Sequence, residues 1–216
     1  MPSAPTRAAA PPPAGPAPDA ALASRLDAVC EEGWALFEAF DRRVRDRGFH
    51  PFVAADYAVV RAALVRVRHP GQRFLELGSA TGVITVMASL LGFDACGIEL
   101  DRDLVQVAVG LNRRHGTSAR FACGSFLPTG YRRPGAATAG RSLRAAEPTT
   151  GDGASGYLVL GQALDDFDVV FGYPWSGEAP LMHDLMRQYG RPDALLLLHD
   201  TNAGVSAWRQ GRELAL

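Results

Sequence analysis

The chain has 216 residues, 47% of them hydrophobic, which suits one domain whose core needs no support from metals or disulfides. Its formal net charge is -1 and every basic residue is Arg, which disfavours a nucleic-acid-binding face and excludes Schiff-base catalysis by Lys. Three widely spaced cysteines indicate neither a disulfide framework nor a metal site, and the lack of an apolar run of ~20 residues predicts a cytoplasmic protein without a membrane span.

The N-terminal part is predicted to be a tail followed by helices. Residues 1–18 hold many prolines and few apolar side chains larger than Ala, so we expect a disordered tail rather than a signal peptide. Over residues 19–48, apolar residues recur at three- and four-residue steps, which predicts one amphipathic helix. A second helix is predicted from Asp56, a good N-cap, to about Arg68.

From residue 49 to residue 216 the pattern indicates one α/β domain. Strands that alternate with helices predict βαβ units and a Rossmann-like, doubly wound, mainly parallel sheet. The predicted strands are 73–77, 94–99, 119–122, 167–171 and 194–199, and the helices are 82–91, 102–115 and 180–189, with a short helix or turn at 157–164.

Two stretches depart from that alternation. Residues 127–156 are rich in Gly, Ala, Thr, Arg and Pro, which predicts a flexible surface insertion. After residue 199 there is room for at most one further short strand, at 205–209, so the C-terminal end of the sheet should be shortened. Whether such a short end completes a catalytic domain stays open.

A glycine-rich turn follows the first predicted strand, in the segment Glu76-Leu77-Gly78-Ser79-Ala80-Thr81-Gly82. Glycine is needed where a backbone turns sharply or where a ligand comes close, and amides at a helix N-terminus attract anionic groups. A dinucleotide-binding turn needs glycine where Ala80 and Val83 stand, and a P-loop needs Lys, so both nucleotide sites are disfavoured. A tight turn that binds nothing is the alternative.

An acidic residue ends the next predicted strand, in Gly97-Ile98-Glu99-Leu100-Asp101. Glu99 follows the glycine turn by about 20 residues, the spacing at which an acid reaches ribose hydroxyls. Because Asp101 is better placed to cap the next helix, we interpret Glu99 as a ligand contact.

These two segments resemble motifs I and II of class I S-adenosylmethionine (SAM) dependent methyltransferases, and the resemblance extends over most of the chain. It implies SAM as the cofactor and methyl transfer as the activity. By the resemblance, Gly78, Gly82 and the neighbouring Ser79 line the methionine part of SAM, Glu99 binds both ribose hydroxyls, and Glu76 helps to hold the methionine ammonium group.

The segment after the third predicted strand departs from the family. Where the family often has an Asp that binds the adenine amino group, this chain has Ser125, followed by Phe126. A hydroxyl binds adenine more weakly than a carboxylate does. The resemblance therefore implies that Ser125 and the ring of Phe126 share the adenine contact.

The loop after the fourth predicted strand is predicted to face the transferred methyl group, because ligands in this fold sit beyond the carboxyl ends of the strands. It resembles the Asn-Pro-Pro-Tyr loop of amino-methylating enzymes, with Gly172 in place of Asn beside the cofactor. The string Tyr173-Pro174-Trp175-x-Gly177-Glu178 also resembles a group of poorly characterised bacterial methyltransferase-domain proteins.

Four residues are candidates for catalysis. Tyr173 and Trp175 can stabilise positive charge with their aromatic faces, or they can simply pack the loop. Glu178 can accept a proton or pair with a cationic substrate. His199, at the end of the fifth predicted strand, is either a general base or a packed residue.

Three functions remain in competition. The first is a SAM-dependent methyltransferase with an unidentified acceptor, favoured to be a nitrogen nucleophile on a protein side chain or a small molecule. The second is an adenosyl-ligand binding module without catalysis, because Ser125 and Gly172 depart from common catalytic patterns. The third is an NAD-dependent oxidoreductase, which Ala80 and Val83 disfavour. The sequence does not indicate the oligomeric state.

Overall fold

The computed structural model describes residues 15–44, 52–132, 153–175 and 177–216. The helices are α1 (Ala20–Val44), α2 (Tyr57–Val67), α3 (Val83–Leu90), α4 (Arg102–Arg114), α5 (Gly156–Leu160) and α6 (Ala179–Tyr189). The strands are β1 (Arg73–Leu77), β2 (Asp94–Glu99), β3 (Arg120–Cys123), β4 (Val169–Gly172), β5 (Leu195–Asp200), β6 (Gly204–Arg209) and β7 (Arg212–Leu214). Each of the five strands predicted over 73–199 starts and ends within two residues of an observed strand.

The seven strands form one sheet in the order β3-β2-β1-β4-β5-β6-β7. The first five strands of that order are parallel, and β6 and β7 are antiparallel to their neighbours. The chain builds outward from β1 to β3 and then returns to the other side of β1. This reversal confirms the predicted doubly wound sheet and opens a crevice between β1 and β4, where such folds bind ligands.

The parallel strands are apolar because the sheet is covered on both faces. On β1, Phe74 packs in one core cluster with residues of α1, α2 and α3. Leu75 and Leu77 point the other way and pack with residues of α5 and α6. Alternation along a strand therefore places Glu76 on the same face as Phe74, beneath α3.

The helices that border the crevice, α2 and α4, have side-chain caps at their N-termini. Asp56 Oδ1 accepts hydrogen bonds from the amides of Ala58 and Val59 at the start of α2. Asp101 Oδ1 accepts from the amides of Asp103 and Leu104 at the start of α4. The predicted N-cap at Asp56 is thus observed, and Asp101 has the capping role that left Glu99 available for a ligand.

The C-terminal end of the sheet differs from the prediction. At most one strand was expected after residue 199, whereas β6 and β7 form a hairpin there. The hairpin turns at Gln210 and Gly211, whose φ angles of 50° and 72° are the left-handed values of a tight two-residue turn. The Gln-Gly pair is a weaker turn signal than Asn-Gly, which is why the second strand was missed.

Most of the predicted insertion, residues 133–152, lies outside the described residues, as do 1–14 of the predicted tail and 45–48 of the predicted first helix. The described ends of the insertion contact the core. The amide of Ser125 donates to Ala154 O, and the amide of Gly156 donates to Ser125 O, at 2.9 and 2.8 Å. The Tyr131 hydroxyl donates to Asp184 on α6 at 2.9 Å. Of the described helices, none is long and apolar enough to cross a bilayer.

Candidate functional site

A cavity of about 560 Å³ opens at the carboxyl ends of β1, β2 and β4, in the crevice where the strand order reverses. Its volume lies within the usual range for small-molecule sites. The cavity brings together eight of the residues predicted from the sequence: Glu76, Gly78, Ser79, Glu99, Phe126, Tyr173, Trp175 and Glu178. Four predicted residues are absent from its described lining: Gly82, Ser125, Gly172 and His199.

The turn after β1 has an unusual backbone. Gly78, Ala80 and Gly82 have φ angles of 76°, 45° and 80°, so every second residue is left-handed. The amides of Gly78 and Ser79 both donate to Ile98 O on β2, at 2.9 Å. An alanine at positive φ is strained, so the bonds made by its neighbours and by its own amide hold the turn in place.

Glu99 fixes that turn from the neighbouring strand. Its Oε2 accepts the amide hydrogen of Ala80 at 2.8 Å, and its Oε1 accepts that of Asp101 at 2.9 Å. Burial raises the pKa of the Glu99 carboxyl, although these backbone amides act to lower it. Each carboxylate oxygen has further lone pairs, so Glu99 can support the turn and also accept hydrogen bonds from a ligand in the cavity.

Glu76 is a buried residue of the cavity wall. Its Oε2 accepts hydrogen bonds from the Thr85 amide at 3.0 Å and from Thr85 Oγ1 at 2.5 Å, both on α3. Burial raises the pKa of the Glu76 carboxyl to about 8, against the hydrogen bonds from Thr85. A buried carboxyl with no cation beside it keeps its proton at neutral pH, and a cationic group in the cavity would draw that proton off.

Glycine is required at positions 78 and 82 of the turn for different structural reasons. A Cβ at Gly78 would have no atom within 4 Å, and Gly78 lines the cavity, so its bare backbone leaves room for a ligand. A Cβ at Gly82 would lie 2.6 Å from Ala108 Cβ and 2.8 Å from Phe121 Cζ. Gly82 is therefore required for packing α3 against α4 and β3, and not for lining the cavity.

This difference predicts opposite outcomes for two matched variants. Both Gly78→Ala and Gly82→Ala place a Cβ at positive φ, at a cost of roughly 1–2 kcal/mol each. Only Gly82→Ala also overpacks the core, adding about 1–3 kcal/mol of destabilisation. We expect urea unfolding to show Gly82→Ala as clearly the less stable protein. Calorimetry with SAM, the cofactor that the resemblance implies, should show the larger loss of affinity in Gly78→Ala. Equal stability would contradict the packing role of Gly82.

Gly97 on β2 is a site residue that the sequence argument missed. A Cβ there would lie 2.6 Å from Ser79 Cβ and 2.9 Å from Thr85 Oγ1. Because Gly97 has no Cβ, the turn and α3 can lie close to the strand that carries Glu99. A glycine inside an apolar strand was the available signal, because it often marks a close approach.

Close packing also explains why position 172 is a glycine. A Cβ at this position would lie 2.3 Å from Met182 Sδ, and Met182 of α6 lines the cavity. The thioether therefore occupies the space where the Asn side chain of the similar loops would begin. No side-chain hydrogen bond is made from position 172, and the neighbouring residue that lines the cavity, Met182, is apolar.

The loop after β4 forms the outer wall. The Tyr173 hydroxyl and Thr201 Oγ1 are hydrogen-bonded at 2.7 Å, which ties this loop to the end of β5. The Trp175 amide donates to Glu178 Oε2 at 3.0 Å, and the Glu178 amide donates to Trp175 O at 2.9 Å. The Trp175 side chain is 36% exposed, so its ring stands at the cavity mouth.

His199 lies behind that wall. It is 3% exposed, and its ring packs edge to face against Tyr173 with centroids 4.5 Å apart. Burial lowers the pKa of His199, while the charges of Asp56 and Asp200 act to raise it. The histidine is thus neutral at pH 7 and contacts the cavity through Tyr173, which is the geometry of a packed residue that positions the loop.

Ser125 and Phe126, which follow β3, differ in their relation to the cavity. Ser125 is buried, and its Oγ accepts the amide hydrogen of Leu127 at 3.1 Å. Phe126 is buried and lines the cavity. The hydroxyl therefore belongs to the local turn, and the ring is the part of this segment that a bound ligand can contact.

Tyr57 and Thr81 complete the inner wall, although the sequence favours helix capping by Asp56 as the reason for the segment around Tyr57. Their hydroxyls are hydrogen-bonded, and burial raises the pKa of the Tyr57 hydroxyl far above its usual range, with the nearby Glu76 contributing. The Trp34 ring of α1 packs on the Tyr57 ring at 5.0 Å. Only the three-dimensional packing of α1 and α2 over the turn reveals this, since the segment carries no glycine or charge motif.

The fold is shared with solved methyltransferases. An RNA methyltransferase from Salinibacter ruber, solved with S-adenosyl-L-homocysteine, aligns at a TM-score of 0.50 with 16% sequence identity, covering 76% of this chain and 97% of its own. A SAM-dependent methyltransferase from Thiobacillus denitrificans, solved with the same ligand, aligns at a TM-score of 0.45 with 20% identity, covering 74% and 54%.

One curated relative shares a shorter region. Ribosomal protein L11 methyltransferase of Thermus thermophilus is 37% identical to this chain over 71 residues, which are 32% of this chain and 28% of the relative. The chain therefore matches about a quarter of that relative's length. No family model matches the chain.

Proposed function

We propose that this protein transfers a methyl group from SAM to a nitrogen nucleophile on a protein side chain or a small molecule. One observation carries the proposal. A single cavity in the crevice of a methyltransferase fold joins a buried carboxyl (Glu76), a second carboxyl on the adjacent strand (Glu99) and bare backbone (Gly78). A fold alone does not establish an activity, whereas these groups together form a site for a specific ligand.

The residues present fit SAM. Glu76 supplies an anionic partner for the methionine ammonium group, and the open space over Gly78 admits the methionine chain. Ser79 Oγ is buried with no hydrogen-bond partner among the described residues, so it is available to a ligand. Glu99 and Phe126 line the same cavity, where Glu99 would accept hydrogen bonds from the two ribose hydroxyls and Phe126 would offer an apolar face to adenine.

The chain's own contribution to the reaction is alignment. SAM supplies an electrophilic methyl group on a sulfonium. Tyr173 and Trp175 place aromatic faces at the outer wall, where they stabilise positive charge by roughly 0.5–2 kcal/mol. The bond between Tyr173 and Thr201 holds this wall in one position, and such fixed alignment accounts for much of the catalysis of a group transfer.

The direct test is incubation of the purified protein with methyl-labelled SAM and fractionated lysate. Label in protein or metabolite fractions at a basic nitrogen supports the proposal. Binding of SAM without label in any fraction would instead favour the adenosyl-ligand binding module, and protein that ignores both SAM and S-adenosyl-L-homocysteine would exclude both functions.

Trp175→Ala separates transfer from cofactor binding. Because Trp175 stands at the mouth while Glu76 and Glu99 lie in the inner wall, we expect turnover to fall by about tenfold, as loss of roughly 1–2 kcal/mol of aromatic stabilisation implies, with little change in SAM affinity. Single-turnover kinetics and calorimetry measure the two quantities. Val109→Ala, an exposed change on α4, is the control; turnover unaltered in Trp175→Ala would make the loop a scaffold only.

A further inference from the structure

The described lining of the cavity contains acidic side chains and no basic ones. Four of its residues carry a carboxyl group (Glu76, Glu99, Asp101 and Glu178), and no Arg or His is found among the described lining residues. The chain has no Lys that could supply a cation. A carboxylate or phosphate acceptor would enter this site without a positive partner, which is unfavourable in a partly buried space.

All four of these carboxyls accept hydrogen bonds within the protein, and they differ in where they lie. Glu99 holds the amides of Ala80 and Asp101, and Asp101 caps α4. Glu76 is bonded to Thr85 at the inner end. Glu178 lies at the start of α6, half-buried, on the same loop as Trp175. It is the carboxylate placed both beside the aromatic wall and within reach of solvent.

The apolar side chain of Met182, which lines the cavity next to Gly172, narrows the class of acceptor further. The lone pair of an amide or nucleobase nitrogen is delocalised, so such a nitrogen needs hydrogen-bond acceptors that hold its N–H groups while the lone pair turns to the methyl. Met182 fills the space where a side-chain acceptor at position 172 would lie. An aliphatic amine needs no such help, because its lone pair is localised once one proton has left.

We propose that the acceptor is an aliphatic amine that enters as its ammonium cation and is bound by Tyr173, Trp175 and Glu178. This rests on the proposed methyltransferase function and specifies its substrate class. The ammonium loses one proton to the Glu178 carboxylate, which passes it to solvent. The freed nitrogen lone pair forms the new C–N bond as the C–S bond breaks, giving a methylammonium product and neutral S-adenosyl-L-homocysteine.

The first experiment measures binding without turnover. Three probes of matched size, n-butylammonium, butyramide and n-butyrate, are titrated by calorimetry into the protein saturated with S-adenosyl-L-homocysteine. We expect n-butylammonium to bind at least about tenfold more tightly than the neutral amide, as a hydrogen bond to a charged group implies, and n-butyrate not to bind. Equal binding of the three probes, preference for n-butyrate, or no binding of n-butylammonium would overturn the proposal.

A matched pair of variants identifies the carboxylate. Glu178→Gln keeps the shape and should lose the preference for n-butylammonium over butyramide. Glu213→Gln changes an exposed carboxyl on β7, away from the cavity, and should retain it. A preference that survives in Glu178→Gln would remove Glu178 from the assignment. Circular dichroism of both variants shows that the fold is kept.

The chemical class of the labelled product separates the two levels of the argument. Label from methyl-labelled SAM in a base-stable methylamine supports the proposal. Label in a base-labile methyl ester or in a methylated nucleoside would retain the methyltransferase function and overturn the aliphatic acceptor. Label in no product from any lysate fraction would overturn both.

Discussion

Glu99→Ala should weaken SAM binding by at least about 100-fold if the proposed ribose contact is correct, because the two ribose hydroxyls would no longer have the carboxylate to which they donate, and each such hydrogen bond is worth roughly 1.5–3 kcal/mol. The same change leaves the amides of Ala80 and Asp101 without their present partner. We therefore also expect a loss of stability of about 1–3 kcal/mol. Calorimetry with SAM and urea unfolding without it measure the two effects separately.

The control for Glu99 lies at the other end of the same strand. Asp94 begins β2, is exposed, and pairs with Arg120 at 3.3 Å. Asp94→Ala should cost less than about 1 kcal/mol in stability and leave SAM affinity unchanged. If Glu99→Ala were as stable as the wild type and bound SAM equally well, the assignment of this carboxylate to the ribose would be wrong.

The parts of the fold that follow from local chemistry were predictable. Apolar strands separated by amphipathic helices predicted five parallel strands, and the acid at the end of β2 was recognised because Asp101 explained the helix cap. The hairpin of β6 and β7 was only partly predicted, because its turn residues carry a weak signal.

The roles of individual glycines could not be derived from the sequence. The motif at Gly78 and Gly82 suggested that both contact the cofactor, yet one faces open space and the other faces Ala108 and Phe121. A glycine often indicates that another atom lies close to its backbone. Its position in the sequence does not show whether that atom belongs to a ligand or to the protein core. Gly172 and Met182 illustrate the same ambiguity.

Long-range contacts explain the other differences. His199 was a candidate base because it ends a strand at the ligand edge, but its side chain lies on the α2 side behind Tyr173. Tyr57 enters the wall through its contacts with Trp34 and Thr81, which are remote in sequence. Which face of a strand end points into a cavity depends on the packing of distant helices.

Glu76→Gln should make the ligand-free protein more stable at neutral pH. The pKa of folded Glu76, raised to about 8 from 4.5, means that folding favours the protonated carboxyl. The stability this gives is present at low pH and is lost as the pH rises through about 8, so wild-type stability should fall between pH 4.5 and 8. A neutral amide removes that loss, a gain on the order of 3 kcal/mol at pH 7. Urea unfolding across this range tests it, with Glu213→Gln keeping the wild-type slope.

The same variant should bind SAM more weakly, because the amide cannot provide the negative charge that the methionine ammonium group requires. In the wild type, binding a cation next to Glu76 lowers its pKa, so close to one proton should be released at pH 7. Calorimetry in buffers of different ionisation enthalpy measures this release, which should be absent in Glu76→Gln. A wild-type protein that releases no proton, or a variant that binds SAM as tightly, would show that Glu76 is a structural carboxyl. If Glu76→Gln is more stable than the wild type but binds SAM more weakly, the buried carboxyl destabilises the fold and is needed for ligand binding.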